Sequence, residues 1–268
     1  MDCLSIFMRM TNSFTHPFFF DSESDMVTAK SLIESCVSDV HKWMVINKLK
    51  LNTDKTELLY FHSRFRPSLE LGAIHLGSDA IYPSPQARNI GAIFDSTLSM
   101  SAHVNTIVKS GFYHLRNIAK IRNFLSRDTT KILIHAFVCS KLDNYNSLLF
   151  GLPKQLIDKL QHLMNAAARV IARVDIHEHI TTVLKELHWL PVEQRIVFKI
   201  NLITFKCLNN LAPSYLRELL TLYKPSRTLR SSSDKLKLEA VPYNLKTYGY
   251  RSYSIHAPIL LNSGNIKI

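Results

Sequence analysis

Three groupings along the chain carry side chains able to do chemistry. Asp21, Glu23 and Asp25 alternate through Asp21-Ser-Glu-Ser-Asp25 and are acids of the kind that seat a divalent cation. They stand directly before an apolar-periodic segment, however, where carboxylates cap a helix and meet its positive N-terminal dipole, and we read them that way. His177-Glu178-His179 offers two imidazoles. Residues two apart on a helix do not share a face, and no cysteine or carboxylate follows at a ligand spacing, so the triplet reads as a polar linker. His75 has no partner at metal spacing either and reads as a strand residue.

The third grouping is cationic. Lys109, Arg116, Lys120 and Arg122 recur through one segment with Tyr113 and His114 among them, and Arg227, Arg230, Lys235 and Lys237 lie among serines and tyrosines near the C-terminus. Lysines and arginines that neutralise phosphates release condensed counterions whatever the base sequence, and interleaved rings stack on bases. The same rows also suit a solvated helix face and a loosely ordered terminus, so both readings stand at this level.

Composition leans toward the first. Lys and Arg number 33 against 21 Asp and Glu, a net charge of +12, which favours a polyanionic partner. An apolar fraction of 46% over 268 residues is enough to bury the core of one or two domains. Cys3, Cys36, Cys139 and Cys207 are far apart and form no Cys-x-x-Cys pair, so they read as small apolar fillers in a reducing compartment. No apolar run approaches the roughly 18 residues that span a bilayer, and the opening Met-Asp-Cys-Leu-Ser-Ile-Phe-Met-Arg is charged too soon for a secretory signal. The expectation is an intracellular protein, nuclear or cytoplasmic, without a membrane partner.

The elements that would position these groups follow from period and punctuation. Residues 1–20 are the least regular. Ala29, Leu32, Ile33, Cys36, Val37, Val40, Trp43 and Met44 make one helical face, and Leu58-Leu-Tyr-Phe61 is a short buried strand after the turn Asn52-Thr-Asp-Lys55. Ile74-His-Leu76 and Ala80-Ile-Tyr82 flank a Gly77-Ser78-Asp79 turn, and Ile90-Gly-Ala-Ile-Phe94 supplies a further strand. From Ser101 the period is helical. Val104, Ile107, Val108, Phe112, Leu115 and Ile118 face inward on a first helix, and Ile132, Leu133, Ala136 and Phe137 on a second that starts near Ser126. Leu156, Ile157, Leu160, Leu163, Met164, Ala167, Val170 and Ile171 line a third, opened by Pro153. Val183, Leu184 and Leu187, a long helix from Pro191 with Ile196, Ile200, Ile203 and Cys207 inward, and a short helix after Pro213 complete the pattern.

Asn47-Lys-Leu-Lys-Leu-Asn52-Thr-Asp54-Lys55-Thr-Glu57 resembles a block of the reverse-transcriptase palm in non-LTR (LINE-type) retrotransposons. The likeness continues through Ala87-Arg-Asn-Ile-Gly-Ala-Ile-Phe-Asp95, Phe112-Tyr-His-Leu-Arg-Asn-Ile-Ala-Lys-Ile-Arg122 and Leu142-Asp143. It resumes in Gly151-Leu-Pro-Lys154, Asn165-Ala-Ala-Ala-Arg169, His188-Trp-Leu-Pro-Val-Glu-Gln-Arg195 and Leu211-Ala-Pro-Ser-Tyr215. The resemblance implies an α+β fold, with a small antiparallel palm remnant followed by a mostly α-helical thumb bundle and a helical C-terminal extension. It implies a degenerate catalytic-hairpin region over 1–24, palm over 25–99, thumb over 100–174, extension over 175–222 and a basic tail over 223–268.

It also implies a chemistry and its loss. Intact members are RNA-directed DNA polymerases in which adjacent aspartates hold Mg2+ for phosphoryl transfer. Counting back from Phe20-Asp21 puts Met10-Thr11-Asn12-Ser13 where an aromatic-Ala-Asp-Asp tetrapeptide should stand. Two neutral side chains replace two negative charges, and the rest of the palm would precede residue 1. Lys55 matches the family lysine that neutralises departing pyrophosphate, but here it reads as a solvated turn residue between Asp54 and Glu57. The expectation is therefore a truncated, catalytically inactive transposable-element protein without a cofactor. It would bind RNA, DNA or RNA–DNA hybrid weakly and without sequence preference, through Lys109, Arg116, Lys120, Arg122, Arg227, Arg230, Lys235 and Lys237. The rival expectations are a fragment of an active polymerase whose palm is encoded just upstream, and a non-enzymatic helical protein-interaction module.

Overall fold

A computed structural model describes residues 3–8, 13–16, 23–50, 52, 56–63, 72–76, 79–224, 237–243 and 249–263, and gives the backbone alone for 3–8, 13–16, 23 and 76. The fold is α+β and dominated by helices. The chain divides into two units, Met1–Asn105 and Thr106–Ile268. No helix among the described residues is long and apolar enough to cross a membrane.

The first unit is built around β3 (Thr56–Phe61), whose Leu58 and Leu59 are almost fully buried. A strand so placed must find hydrogen-bonding partners along both edges. One edge is taken by β1 (Cys3–Met8), antiparallel with Cys3 opposite Phe61, and β1 in turn pairs with β2 (Ser13–His16). The other edge is taken by the two-residue β6 (Pro83–Ser84), which runs parallel to β3, so the sheet order is β2-β1-β3-β6. The N-terminal segment, irregular by its sequence pattern, thus contributes two strands because β3 needs a neighbour.

α1 (Glu23–Ile46) buries Met26, Ala29, Ile33, Val37 and Met44. Leu32, Cys36 and Trp43, expected on the same face, are exposed instead. They lie to one side of the buried stripe, and the helix presents the other side to β4 (Ile74–Leu76), where Glu34 accepts the backbone N–H of His75 at 2.9 Å. β4 pairs with β5 (Asp79–Ile81), Leu76 opposite Asp79, around Gly77 and Ser78, which lie outside the described residues. The expected strand Ile90–Phe94 is instead the turn and second arm of a hairpin. β7 (Gln86–Asn89) and β8 (Ala92–Asp95) are joined by Ile90 and Gly91, both at positive φ (46° and 98°), as the tight primed turns that match strand twist require.

Asp95 then organises the entry to α2 (Ser101–Ile121). Its carboxylate accepts the backbone N–H of Met100 at 2.7 Å and of Ser99 at 2.9 Å, and the Thr97 hydroxyl at 2.8 Å. Burial pushes this carboxyl up, but the hydrogen bonds from Ser99, Thr97 and Met100 outweigh it and hold it below the usual carboxylate range. His103 faces the hairpin, its Nδ1 accepting the N–H of Ile93 at 3.4 Å.

In the second unit Ile107, Leu115 and Ile118 of α2 are buried, and Gly111 lies so close to Leu163 of α5 (Lys154–Ala172) that a methyl group there would collide with it. α3 (Arg127–Ile134) starts at Ser126, whose Oγ accepts the Thr129 N–H at 3.1 Å. A π turn over His135–Cys139 then carries the chain into α4 (Ser140–Asp143). Thr130, Ile134, Val138, Cys139 and Leu142 are buried, whereas Ile132, Ala136 and Phe137, expected inside, are exposed: Ile132 lies opposite the Thr130–Ile134 stripe of α3, and the extra residue of the π turn shifts the inward face from Val138 onto Cys139.

The remaining helices add further buried faces to the second unit. α6 (Ile180–Glu186) buries Val183 and Leu184, and α7 (Val192–Leu208) buries Ile196, Ile200 and Cys207. The N–H of Val192 donates to Gln161 Oε1 on α5 at 2.9 Å, and the Arg195 guanidinium grips both carboxylate oxygens of Asp143 at 3.1 and 3.0 Å. Arg195 also donates to the Leu190 carbonyl and lies over the Trp189 ring at 5.6 Å. After α8 (Ser214–Arg217), the region expected as a basic tail contains α9 (Tyr253–Asn262), which buries Ile255, His256, Ala257 and Leu261 and packs on α7. Asn262 clamps Leu238 by accepting its N–H at 3.1 Å and donating to its carbonyl at 2.8 Å. The interior Pro258 hid this helix from its sequence pattern.

Candidate nucleic-acid interface

α2 contains no Asp or Glu from end to end. Its buried residues fall on one side, and Lys109, Tyr113, Arg116 and Lys120 fall at steps of four, three and four residues on the other, all exposed. From Lys109 to Lys120 the row is about 16 Å long at 1.5 Å per residue. None of the ion pairs formed among the described residues involves these three cations. Arg122 differs. It is half-buried in the 3-10 turn Arg122–Phe124, and its carbonyl accepts from Arg173 Nη2 at 3.0 Å.

Aromatic side chains stand beside the row. Tyr113 meets the His114 ring edge-on, with centroids 5.4 Å apart, and His114 stacks on Phe137 at 5.3 Å with an interplanar angle of 23°. Phe124, one turn beyond Lys120, is 89% exposed. Phe137 sits at this surface within the π turn, and no periodicity in the sequence signals it.

Of the other cations expected to bind, Lys237 is exposed, and its carbonyl accepts the Tyr223 N–H at 3.0 Å. Arg227, Arg230 and Lys235 lie outside the described residues, as does Lys55. Beside Lys55, Thr56 Oγ1 donates to the Asn52 carbonyl at 3.0 Å. His177 and His179 are exposed loop residues; the His177 N–H donates to Asp175 Oδ1 at 3.1 Å, and Arg169 Nη2 donates to the carbonyls of Ile176 and Glu178. That arrangement braces a linker.

Among the described residues no group of three or more His, Cys, Asp or Glu side chains stands together as a metal site. Met10, Thr11 and Asn12 lie outside the described residues between β1 and β2, and Ser13 begins β2. Those four residues contain no carboxylate and do not fit a pair of Mg2+ ions.

The perturbed groups elsewhere are structural. Burial pushes the Cys139 thiol up to about 11, which keeps it protonated and unreactive. Burial lowers His256 to about 4 against the opposing pull of hydrogen bonds at Arg251 and Ser252; its ring packs on Phe150 at 4.6 Å. No protein-family model, curated protein or solved structure matches the chain.

Proposed function

We propose that this chain is a catalytically inactive segment of a LINE-type retrotransposon reverse transcriptase that binds RNA, DNA or their hybrid through sequence-independent phosphate contacts. The observation that carries the binding part is the acid-free outer face of α2, with Lys109, Arg116 and Lys120 exposed in one row and outside the ion pairs of the described residues. The net charge of +12 supports it. The inactive part rests on Met10-Thr11-Asn12-Ser13, which offers no carboxylate where the resemblance calls for two.

The test is binding of a labelled duplex as salt is raised. Three phosphate contacts at a slope of about −0.9 each predict a loss of roughly 40-fold between 50 and 200 mM salt. Binding that ignores salt removes the phosphate reading, and extension of a primed template by the purified chain in Mg2+ or Mn2+ removes the inactive one. Exposed Leu32, Trp43 and Ile46 on α1 favour a second reading, a helical protein-interaction module. A protein ligand that binds without competing with nucleic acid would support it.

A further inference from the structure

The phosphate reading leaves open which form of nucleic acid is held, since charge alone attracts duplex and single strand alike. The rings beside the charges discriminate. A duplex hides the faces of its bases, whereas a single strand offers a π-face at every nucleotide. Resting on the binding part of the proposed function, we infer that the outer face of α2 is a strip for single-stranded polynucleotide. Lys109, Arg116 and Lys120 meet phosphates, and Tyr113, Phe124 and Phe137 take bases.

Three observations carry this. First, the spacing interleaves the two kinds of group: Lys109, Tyr113, Arg116 and Lys120 follow one another at steps of four, three and four along α2, and the 3-10 turn Arg122–Phe124 that continues the helix ends on Phe124. The strip is about 24 Å long, at 1.5 Å per residue along α2 and about 2 Å per residue through the 3-10 turn. That length accommodates roughly seven stacked nucleotides at ~3.4 Å each.

Second, the rings are both open and held. Tyr113, Phe124 and Phe137 are 59%, 89% and 45% exposed. His114 lies between Tyr113 and Phe137, edge to one and face to the other, and so fixes two of the rings before any ligand arrives. Fixed rings lose less rotamer entropy when a base stacks on them. Third, Phe137 sits in the π turn His135–Cys139, where it is exposed together with His135 and Ala136 between the fully buried Ile134 and Val138. π turns recur at functional sites because they re-aim side chains at the expense of regular helix geometry.

The test measures fluorescence anisotropy of the full chain with labelled oligo-dT, oligo-U and a mixed-sequence DNA duplex. Tyr113→Ala combined with Phe124→Ala is expected to weaken both single strands about 30-fold or more, with stacking lost at two sites, while duplex binding stays within about twofold. Tyr113→Phe retains the ring and should bind as the unaltered chain does. Lys109→Ala with Arg116→Ala should weaken all three ligands and flatten the single-strand salt slope by about 0.7 per residue. A ring-dependent loss on both single strands supports the shared base-and-phosphate chemistry, and a loss on one alone names that strand as the ligand. If the ring variants bind single strands normally while the charge variants do not, this inference falls and the phosphate reading stands. If the unaltered chain binds none of the three ligands at low salt, both fall together.

Discussion

The carboxylates of the two units do different work. Apart from the local pairs Asp39–Lys42 and Asp175–His177, in the first unit they accept backbone N–H groups: Glu34 from His75, Glu57 from Arg88 at 2.9 Å, and Asp95 from Ser99 and Met100. In the second they meet cations distant in sequence, Asp143 gripping Arg195 and Glu186 standing 3.4 Å from Arg127. The contrast follows from the backbone. Strands of two to four residues leave N–H groups without ladder partners, and side chains must satisfy them, whereas helices satisfy their own and free the acids for side-chain pairs. Where cations outnumber acids, some stay outside the ion pairs of the described residues, and Lys109, Arg116 and Lys120 on the outer face of α2 are among them.

Asp95→Ala should break the first half of that contrast with the largest effect. It strips two backbone N–H groups and a hydroxyl of their acceptor in a site where Asp95 is 9% exposed, a loss of about 3–4 kcal/mol measured by urea unfolding. Acid should reach the second unit through His256. Its ring is 3% exposed and titrates in the fold near 4 rather than at the ordinary 6.5, so the unfolded chain binds the extra proton first. Stability is therefore complete above about pH 6.5 and falls by about 3 kcal/mol as pH drops toward 4, a dependence that His256→Phe should flatten in unfolding curves taken across that window.

Arg195→Lys sharpens the second half. A lysine keeps the charge but loses the Nε–H donated to the Leu190 carbonyl and the planar contact with Trp189, and we expect about 2 kcal/mol of destabilisation by thermal or urea melts. The smallest effect belongs to Arg116→Ala. Exposed and outside every ion pair of the described residues, it should leave stability within about 0.5 kcal/mol while weakening polyanion binding. A marked loss of stability there would mean that the row is structural and would erase the contrast.

Much of the second unit was legible before its structure. The inward stripe of α5 reads directly from Leu160, Leu163, Met164, Ala167 and Ile171, and Pro153 and Pro191 mark two helix starts. The first unit was harder to read because its strands are short and its apolar residues appear on more than one side. Leu32, Cys36 and Trp43 fit the helical period of α1 as well as Ala29, Ile33 and Val37 do, and periodicity cannot choose between adjoining stripes. The Asp95 cap shows in the sequence only as a carboxylate ahead of a helix, without its partners.

What the amino-acid sequence determined by itself was local and chemical: the helices of the second unit, the absence of acids from α2, and neutral residues at Met10-Thr11-Asn12-Ser13. These depend on side-chain type and on periods of a few residues, which the chain carries wherever it is folded. Only the tertiary structure decided which of two apolar sides turns inward, that β6 joins β3 in parallel, that α9 docks on α7 past Pro258, and that Phe137, within a π turn, lies at the surface beside His114. Each of those depends on which distant surface is available to be buried against, and no window of neighbouring residues contains that information.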